Sequence, residues 1–377
     1  MDLLPVVPWL LPFFTLPRLT SRIPNLSDAP VTGGELVSVI VPARNEAATI
    51  RTLLSSLLAT RYSPMEIVVV DDRSTDDTAT LVSTISDPRL RLLQGQELPQ
   101  GWYGKPWACY QGFRVAHGSL LLFTDADTHH HPELLGRAVG ALSHEGAGLV
   151  TVSPLQRCVT FWERVVMPQI WFLLALRYHP PAVNRARQER DVIANGQFIL
   201  TTREAYEAVG THKVVSHEVA EDLALAQAYL RGGYKLHFAF AERLMETRMY
   251  QNLAQLIEGW SKNIYLGGRR SFPDQALLQA LVPLMLIGAM LFWLAPPFLL
   301  LSSIFIVGLR ELVGAAAIMA SLTSTLFWML MCRQMQIPAI YGAGYPLGAL
   351  MALYIVARST WRGGRRVEWR GRVYGGS

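Results

Sequence analysis

Cysteine is scarce in this chain. There are three in 377 residues, Cys109, Cys158 and Cys332, odd in number and widely spaced. That excludes a disulfide framework and a cysteine-based metal cluster, and it fits a reducing compartment. Charge is scarce too. Charged residues make up 17% and hydrophobic residues 51%, whereas about a quarter of a soluble domain is charged. Part of the chain therefore does not face water. The formal net charge of +5 is too small to argue for a nucleic-acid partner, and the basic residues gather beside apolar segments. Internal repeats and low-complexity tracts are absent. The first 17 residues are apolar but carry neither a basic n-region nor a small-residue cleavage site, which argues against a signal peptide. Pro5, Pro8, Pro12 and Pro17 interrupt them. The expectation is a short or kinked membrane anchor, below the ~20 residues of a full span, followed by a polar linker. Together they make up residues 1–34.

The apolar excess lies near the C-terminus. Ala276–Ala295, Leu312–Cys332 and Ile337–Ala357 are runs of span length, and Phe298–Leu309 is a shorter fourth candidate after Pro296 and Pro297. Arg269 and Arg270 precede the runs. Arg358, Arg362, Arg365, Arg366, Arg370 and Arg372 follow them, opposed only by Glu368. The positive-inside rule places both flanks in the cytosol, which requires an even number of crossings. Four crossings are expected if Phe298–Leu309 extends past Arg310. Residues 271–358 then form a transmembrane bundle, and 359–377 a basic cytosolic tail. Residues 158–178, with Phe161, Trp162, Trp171 and Phe172, read as an interfacial helix. Residues 250–265 mix Tyr250, Trp260 and Tyr265 with nearby Lys262, Arg269 and Arg270, a composition suited to a bilayer surface.

From Leu36 to about Ser153 short apolar runs alternate with helical stretches. Strands are expected at Leu36–Pro42, Glu66–Val70 and Leu120–Thr124. Helices are expected at Glu46–Ala59 with Asn45 as N-cap, at Asp76–Ile85, and from Lys105 to His117. A further helix is expected over 218–231 and a strand over Lys235–Ala239. This order implies an α/β domain, a mostly parallel sheet covered by helices on both faces. Ligands of such sheets sit at the carboxyl ends of the strands.

The residues that carry chemistry fall at such ends. Val39-Ile40-Val41-Pro42-Ala43-Arg44-Asn45-Glu46 is a strand running into a turn. Val68-Val69-Val70-Asp71-Asp72 puts two carboxylates after a buried strand, where they can accept from a uracil N–H or ribose hydroxyls. Phe123-Thr124-Asp125-Ala126-Asp127 is a D-x-D. In an extended segment its two acids point the same way and can hold Mg2+ or Mn2+ together with phosphate oxygens. Glu221 and Asp222 open a helix and offer a general base for an acceptor hydroxyl. Lys105, after Gly101 and Gly104 at a helix start, suits phosphate. His129, His130 and His131 are consecutive, so they cannot all face one metal.

P-A-R-N-E, V-V-D-D-x-S-x-D-x-T, D-A-D and E-D occur in order. The chain resembles the family-2 glycosyltransferases over roughly residues 36–270. The segments G-K-P-W-A-C at Gly104–Cys109 and E-G-W-S-K-N at Glu258–Asn263 resemble the membrane enzymes of carotenoid and hopanoid glycolipid pathways and, more distantly, ceramide glucosyltransferases. The resemblance implies the A-type nucleotide-diphospho-sugar transferase fold over a cytosolic catalytic domain at 35–270. It implies inversion at the anomeric carbon, a nucleotide-sugar donor with UDP-sugar expected, and a lipid or isoprenoid acceptor. The rival reading transfers onto a polyprenyl phosphate, and a rival of another class is a non-catalytic scaffold. Pro42, Ala43 and Glu46 would border base and ribose, and Asp71 or Asp72 would bind uracil or ribose. Asp125 and Asp127 would form the metal site with Asp127 the direct ligand, and Asp222 would be the base with Glu221 beside it. Trp260 would stand where processive synthases carry the tryptophan of Q-x-x-R-W. Here Gln255-Leu256-Ile257-Glu258-Gly259-Trp260 has no arginine before the tryptophan and is one residue longer, which argues against a processive synthase. The expected location is the cell (inner) membrane, multi-pass, with the catalytic domain facing the cytosol.

Overall fold

The computed structural model describes residues 6–16, 23–363, 367–369 and 372–374. The chain forms two compact units, each discontinuous in sequence. One comprises Ile23–Arg157, Pro180–Met249 and Gly364–Ser377, and the other Met1–Arg22, Cys158–His179 and Tyr250–Gly363.

The first unit is built on a seven-stranded sheet. Besides a C-terminal pair, Val367–Trp369 and Arg372–Tyr374, the strands of the unit in chain order are β1 (Val37–Ala43), β2 (Met65–Asp71), β3 (Leu90–Gln94), β4 (Leu120–Thr124), β5 (Thr128–His130), β6 (Leu149–Ser153), β7 (Leu155–Gln156), β8 (Phe198–Thr202), β9 (Leu236–Phe240) and β10 (Met245–Thr247). The large sheet runs β3-β2-β1-β4-β8-β6-β9, and a small sheet runs β5-β10-β7. Every neighbouring pair of the large sheet is parallel except those made by β8, which is antiparallel to β4 and β6. β1 is buried at all seven positions, as a central strand covered on both faces must be. Its alternate residues serve opposite faces. Val37, Val39 and Val41 join Leu53, Leu54 and Leu57 of the helix Ile50–Leu58 and Leu134 of Leu134–His144. Ile40 joins Cys109 and Phe113 of the helix Gly104–Val115 and Leu225 and Tyr229 of Glu221–Arg231. The mostly parallel, doubly covered sheet expected from the sequence is present.

One helix start differs from expectation. Asn45 is not an N-cap. It sits at φ 54°, a left-handed conformation that asparagine tolerates, and its Oδ1 accepts from Thr75 N at 2.8 Å. The helix begins only at Ile50, because Asn45 braces the loop after β2 instead.

The second unit is helical. Phe161–Arg177 opens with a capping box between Thr160 and Glu163, and Leu253–Arg270 is capped by Asn252. Among the described residues three helices are long and apolar enough to cross a membrane: Ala276–Phe305, Val313–Gln334 and Ala339–Arg362. The separate fourth span expected at Phe298–Leu309 is not formed. Ala276–Phe305 continues through Pro283, Pro296 and Pro297 as one helix, since apolar helices in bundles tolerate proline when neighbours re-satisfy the backbone. Phe172, Trp293, Phe327 and Trp328 interlock edge-to-face and stacked. Glu258 pairs with Arg358 at 2.8 Å and with Arg362 at 2.5 Å. Ser359 Oγ accepts from Tyr265 N at 3.0 Å. The segment before Ala276–Phe305 thus lies beside the end of Tyr345–Arg362. Residues 6–16 form two short helical turns, with Trp9 Nε1 donating to the Phe292 carbonyl at 3.1 Å. The rest of the expected anchor at residues 1–5 and 17 and the linker positions 18–22 lie outside the described residues, as do Arg365, Arg366 and Arg370 of the basic tail.

Candidate active site

The order β2-β1-β4 places three strand ends side by side, at the point where consecutive strands turn to opposite sides of β1. Such a switch point opens a crevice for ligand. Pro42 and Ala43 close β1 opposite Val70 and Asp71 of β2. Asp71 is 3% and Asp72 0% exposed. Asp72 N donates to the Ala43 carbonyl at 2.7 Å, and Arg44 donates to the carbonyls of Asp72 at 2.6 Å and Arg73 at 2.8 Å. Glu46 N donates to Thr78 Oγ1 at 2.8 Å. Asp76 accepts from Ala47 N and Thr78 N, both at 3.0 Å. Partial burial acts to raise its carboxyl, but these bonds hold it below its usual value. Two loops from adjacent strands are thereby laced together, with Pro42, Ala43, Glu46, Asp71 and Asp72 at one end of the sheet.

The D-x-D is not extended. β4 ends at Thr124 and β5 begins at Thr128, so Asp125-Ala126-Asp127 occupies the tight turn between them. The acids are brought to one place by a turn rather than by strand alternation. Thr128 Oγ1 donates to the Asp125 carbonyl at 2.9 Å, and Thr247 Oγ1 to the Asp127 carbonyl at 3.1 Å.

Lys105 joins this turn to the helix start at Glu221. Its Nζ lies 2.7 Å from Asp125 Oδ1 and 2.9 Å from Glu221 Oε1. Burial alone would lower its pKa, but the two carboxylates hold the ammonium well above its usual range. Tyr103 N donates to the Ser216 carbonyl at 2.7 Å, which fixes the start of Gly104–Val115 against the segment leading to Glu221. Asp222 lies beside them and is held by backbone N–H groups. Its Oδ2 accepts from Gly196 N at 2.9 Å and its Oδ1 from Leu223 N at 2.7 Å. Burial, with the Glu221 charge beside it, pushes the Asp222 carboxyl up to about 6. Asp125, Glu221 and Asp222 outnumber the single ammonium, so the cluster favours an added cation.

Gly196 was not singled out from the sequence. A Cβ there would lie 2.8 Å from Lys105 Nζ, 3.2 Å from Glu221 Oε1 and 3.3 Å from Asp222 Oδ2. Asn195 fixes it, donating from N to Thr151 Oγ1 at 2.9 Å and from Nδ2 to the Val152 carbonyl at 3.1 Å. The Asn-Gly dipeptide before the apolar Phe198–Leu200 is a turn signal that could have drawn notice. His212 was also missed. Burial pushes it down to about 3, and its Nδ1 lies 2.6 Å from Tyr206 Oη. Trp260 belongs to the helical unit, where its Nε1 donates to Met167 Sδ at 3.3 Å, and it is not among the residues gathered by the sheet.

Among the described residues no group of three or more His, Cys, Asp or Glu side chains could hold a metal ion. Asp125 and Asp127 supply hard carboxylate donors from one turn. That set fits a divalent ion completed by phosphate oxygens and does not fit an all-protein cage.

Comparison with known proteins bears on the family and the fold. Residues 38–210 match Glycosyl transferase family 2, a range that holds the D-x-D and stops before Glu221. A 4,4'-diaponeurosporenoate glycosyltransferase of Staphylococcus aureus strain MRSA252 is 28% identical over 256 residues, covering 67% of this chain and 66% of the relative. Its counterpart in strain USA300 is 29% identical over 240 residues, covering 63% of each. The chain thus spans just under two thirds of the length of these relatives. A mannosyltransferase from Pyrobaculum calidifontis, solved in complex with GDP-Man and Mn2+, superposes with a TM-score of 0.56 at 19% identity, covering 95% of both chains. The fold is that of the A-type glycosyltransferases, and residues 38–210 match glycosyl transferase family 2.

Proposed function

We propose that the protein is an inverting glycosyltransferase that moves a sugar from a nucleotide-diphosphate sugar, with UDP-sugar the expected donor, onto a lipid or isoprenoid acceptor at a membrane. The observation that carries this is the cluster at the strand ends, in which Asp222, raised to about 6, stands beside the Lys105–Glu221–Asp125 chain. A carboxyl of that pKa is ionised at neutral pH and basic enough to accept a proton. The relatives named for a carotenoid acid acceptor and the neighbour solved with a nucleotide sugar support the substrate classes.

Pro42, Ala43, Glu46, Asp71 and Asp72 bind the base and ribose. Lys105 binds the diphosphate once it leaves Asp125. Asp125 and Asp127 would hold Mg2+ or Mn2+, and the ion would supply charge neutralisation for the leaving diphosphate. Asp222 takes the acceptor proton. The acceptor oxygen bonds to the anomeric carbon as the bond from that carbon to the diphosphate oxygen breaks, and its electron pair leaves with the nucleoside diphosphate. One in-line displacement inverts the centre.

The helical unit anchors the enzyme in the inner membrane, with catalysis on the cytosolic side. Glu258 holds Arg358 and Arg362 beside the helix that precedes the apolar bundle. An odd number of complete crossings between Arg270 and Arg358 would separate them. Two crossings, Ala276–Phe305 and Val307–Gln334, satisfy the pairing, with Tyr345–Arg362 not completing a third.

Purified protein given a UDP-sugar and membrane lipid extract should release UDP and yield a glycosylated lipid by mass spectrometry. Absence of both products with UDP- and GDP-sugars alike would refute the reading.

A further inference from the structure

The middle residue of the His129–His131 run lies buried beneath the D-x-D turn. His130 is 4% exposed, Thr124 1% and Thr128 2%, whereas His129 and His131 are exposed. Thr124 Oγ1 donates to the Gln197 carbonyl at 2.8 Å, and Thr128 Oγ1 donates to the Asp125 carbonyl at 2.9 Å. A hydroxyl carries one hydrogen, so both are spent on carbonyls. Each of these oxygens also lies 3.1 Å from His130 Nε2. The imidazole must therefore be the donor in both contacts, through one shared Nε2–H. Thr124 precedes Asp125, Thr128 follows Asp127, and their hydroxyl oxygens are 3.2 Å apart. The ring N–H closes the neck of the turn. Its backbone is anchored in turn, since His130 N donates to Ser56 Oγ at 3.1 Å and Ser56 Oγ to the Leu53 carbonyl at 2.7 Å.

We propose that His130 is a positioning residue for the nucleotide-sugar site: its Nε2–H draws the two stems of the Asp125–Asp127 turn together and so sets the aim of both carboxylates toward a divalent cation. The inference rests on the metal reading under the proposed function. It gives the one buried member of the histidine run a task that is not ligation. Burial keeps the ring neutral, so it adds a donor to the turn without adding positive charge near the ion. Groups that orient ligands from behind typically change metal affinity by about 10–100-fold when lost.

The test is Mn2+ binding to full-length protein in detergent, followed by electron paramagnetic resonance with UDP or GDP present, alongside the melting temperature. His130→Leu should weaken Mn2+ binding by about 10–100-fold while a cooperative melt remains. His130→Gln, which restores an N–H donor near the place of Nε2, should recover most of the affinity. If His130→Leu does not fold, Thr128→Val decides, because it keeps the shape and removes one of the two oxygens the ring serves. Folded His130→Leu or Thr128→Val with wild-type affinity, or His130→Gln no better than His130→Leu, overturns the inference. Wild-type protein that binds no Mn2+ with either nucleotide overturns the metal reading and this inference together. Loss of binding in Asp127→Asn beside normal binding in His130→Leu overturns this inference alone.

Discussion

Gly196 donates its backbone N–H to Asp222 Oδ2 at 2.9 Å. The bond orients the carboxyl proposed as base, and the missing side chain leaves room for Lys105 and Glu221 as well. Gly196→Ala should therefore displace Lys105 Nζ, which would stand 2.8 Å from the new Cβ. A shift of that kind can cost about 10²-fold in rate. Turnover measured beside the melting temperature checks this, and normal turnover in a folded variant would contradict it.

Asp222→Asn should lower kcat by about 10²–10⁴-fold, the usual contribution of a positioned base, with donor affinity little changed. Glu221→Gln should behave differently. Glu221 binds Lys105 at 2.9 Å, so its loss should disturb donor affinity through Lys105. If Glu221→Gln abolishes turnover and Asp222→Asn is mild, the base is assigned to the wrong neighbour. If both are mild, the acceptor is a phosphate that needs no base, and the polyprenyl-phosphate reading replaces this one.

The rate should have an acid limb set by Asp222. Its carboxyl is pushed up to about 6, and only the ionised form accepts a proton, so kcat should fall as pH drops through about 6. Stability should run the opposite way for this group. An acid whose folded pKa exceeds its unfolded value binds more protons when folded, so its contribution weakens as pH rises from the ordinary aspartate value of 3.8 to about 6. A pH–rate profile that keeps its acid limb in a residually active Asp222→Asn variant would assign the limb to another group.

Asp127→Asn and chelation should each lower donor affinity as well as turnover, because the ion is shared with the diphosphate. Titration of the nucleoside diphosphate by calorimetry, with and without chelator, reads this directly. Equal affinity in both would remove the ion from the site.

The protein should stay with membranes in high salt and leave them only in detergent, because three apolar helices of span length are present. Single cysteines introduced at Arg270 and Arg362 should be labelled from the same face of sealed vesicles, as the Glu258 pairs with Arg358 and Arg362 demand. Labelling from opposite faces would restore three crossings.

Much of the fold could be read from local pattern. Val37–Ala43 and Met65–Asp71 are buried along nearly their whole length, and buried parallel strands announce themselves as unbroken β-branched runs. The apolar helices declared their presence in the same way, but not their ends. Asp71, Asp72, Asp125, Asp127, Glu221 and Asp222 were legible because each follows a strand or opens a helix. The sequence could not show what they bind to one another. Lys105 meets Asp125 and Glu221 across 20 and 116 residues, and Gly196 reaches Asp222 from the turn before β8. Such contacts are set by strand order, and the antiparallel insertion of β8 beside β4 has no local signature. The same holds for Phe298–Phe305, which continues one helix through two prolines because packing rather than local propensity decides there. His130 shows the division most clearly. In sequence it is one of three consecutive histidines that cannot all face one metal, and burial between Thr124 and Thr128 makes it a neutral donor, since only the closed turn brings those hydroxyls within reach of its ring.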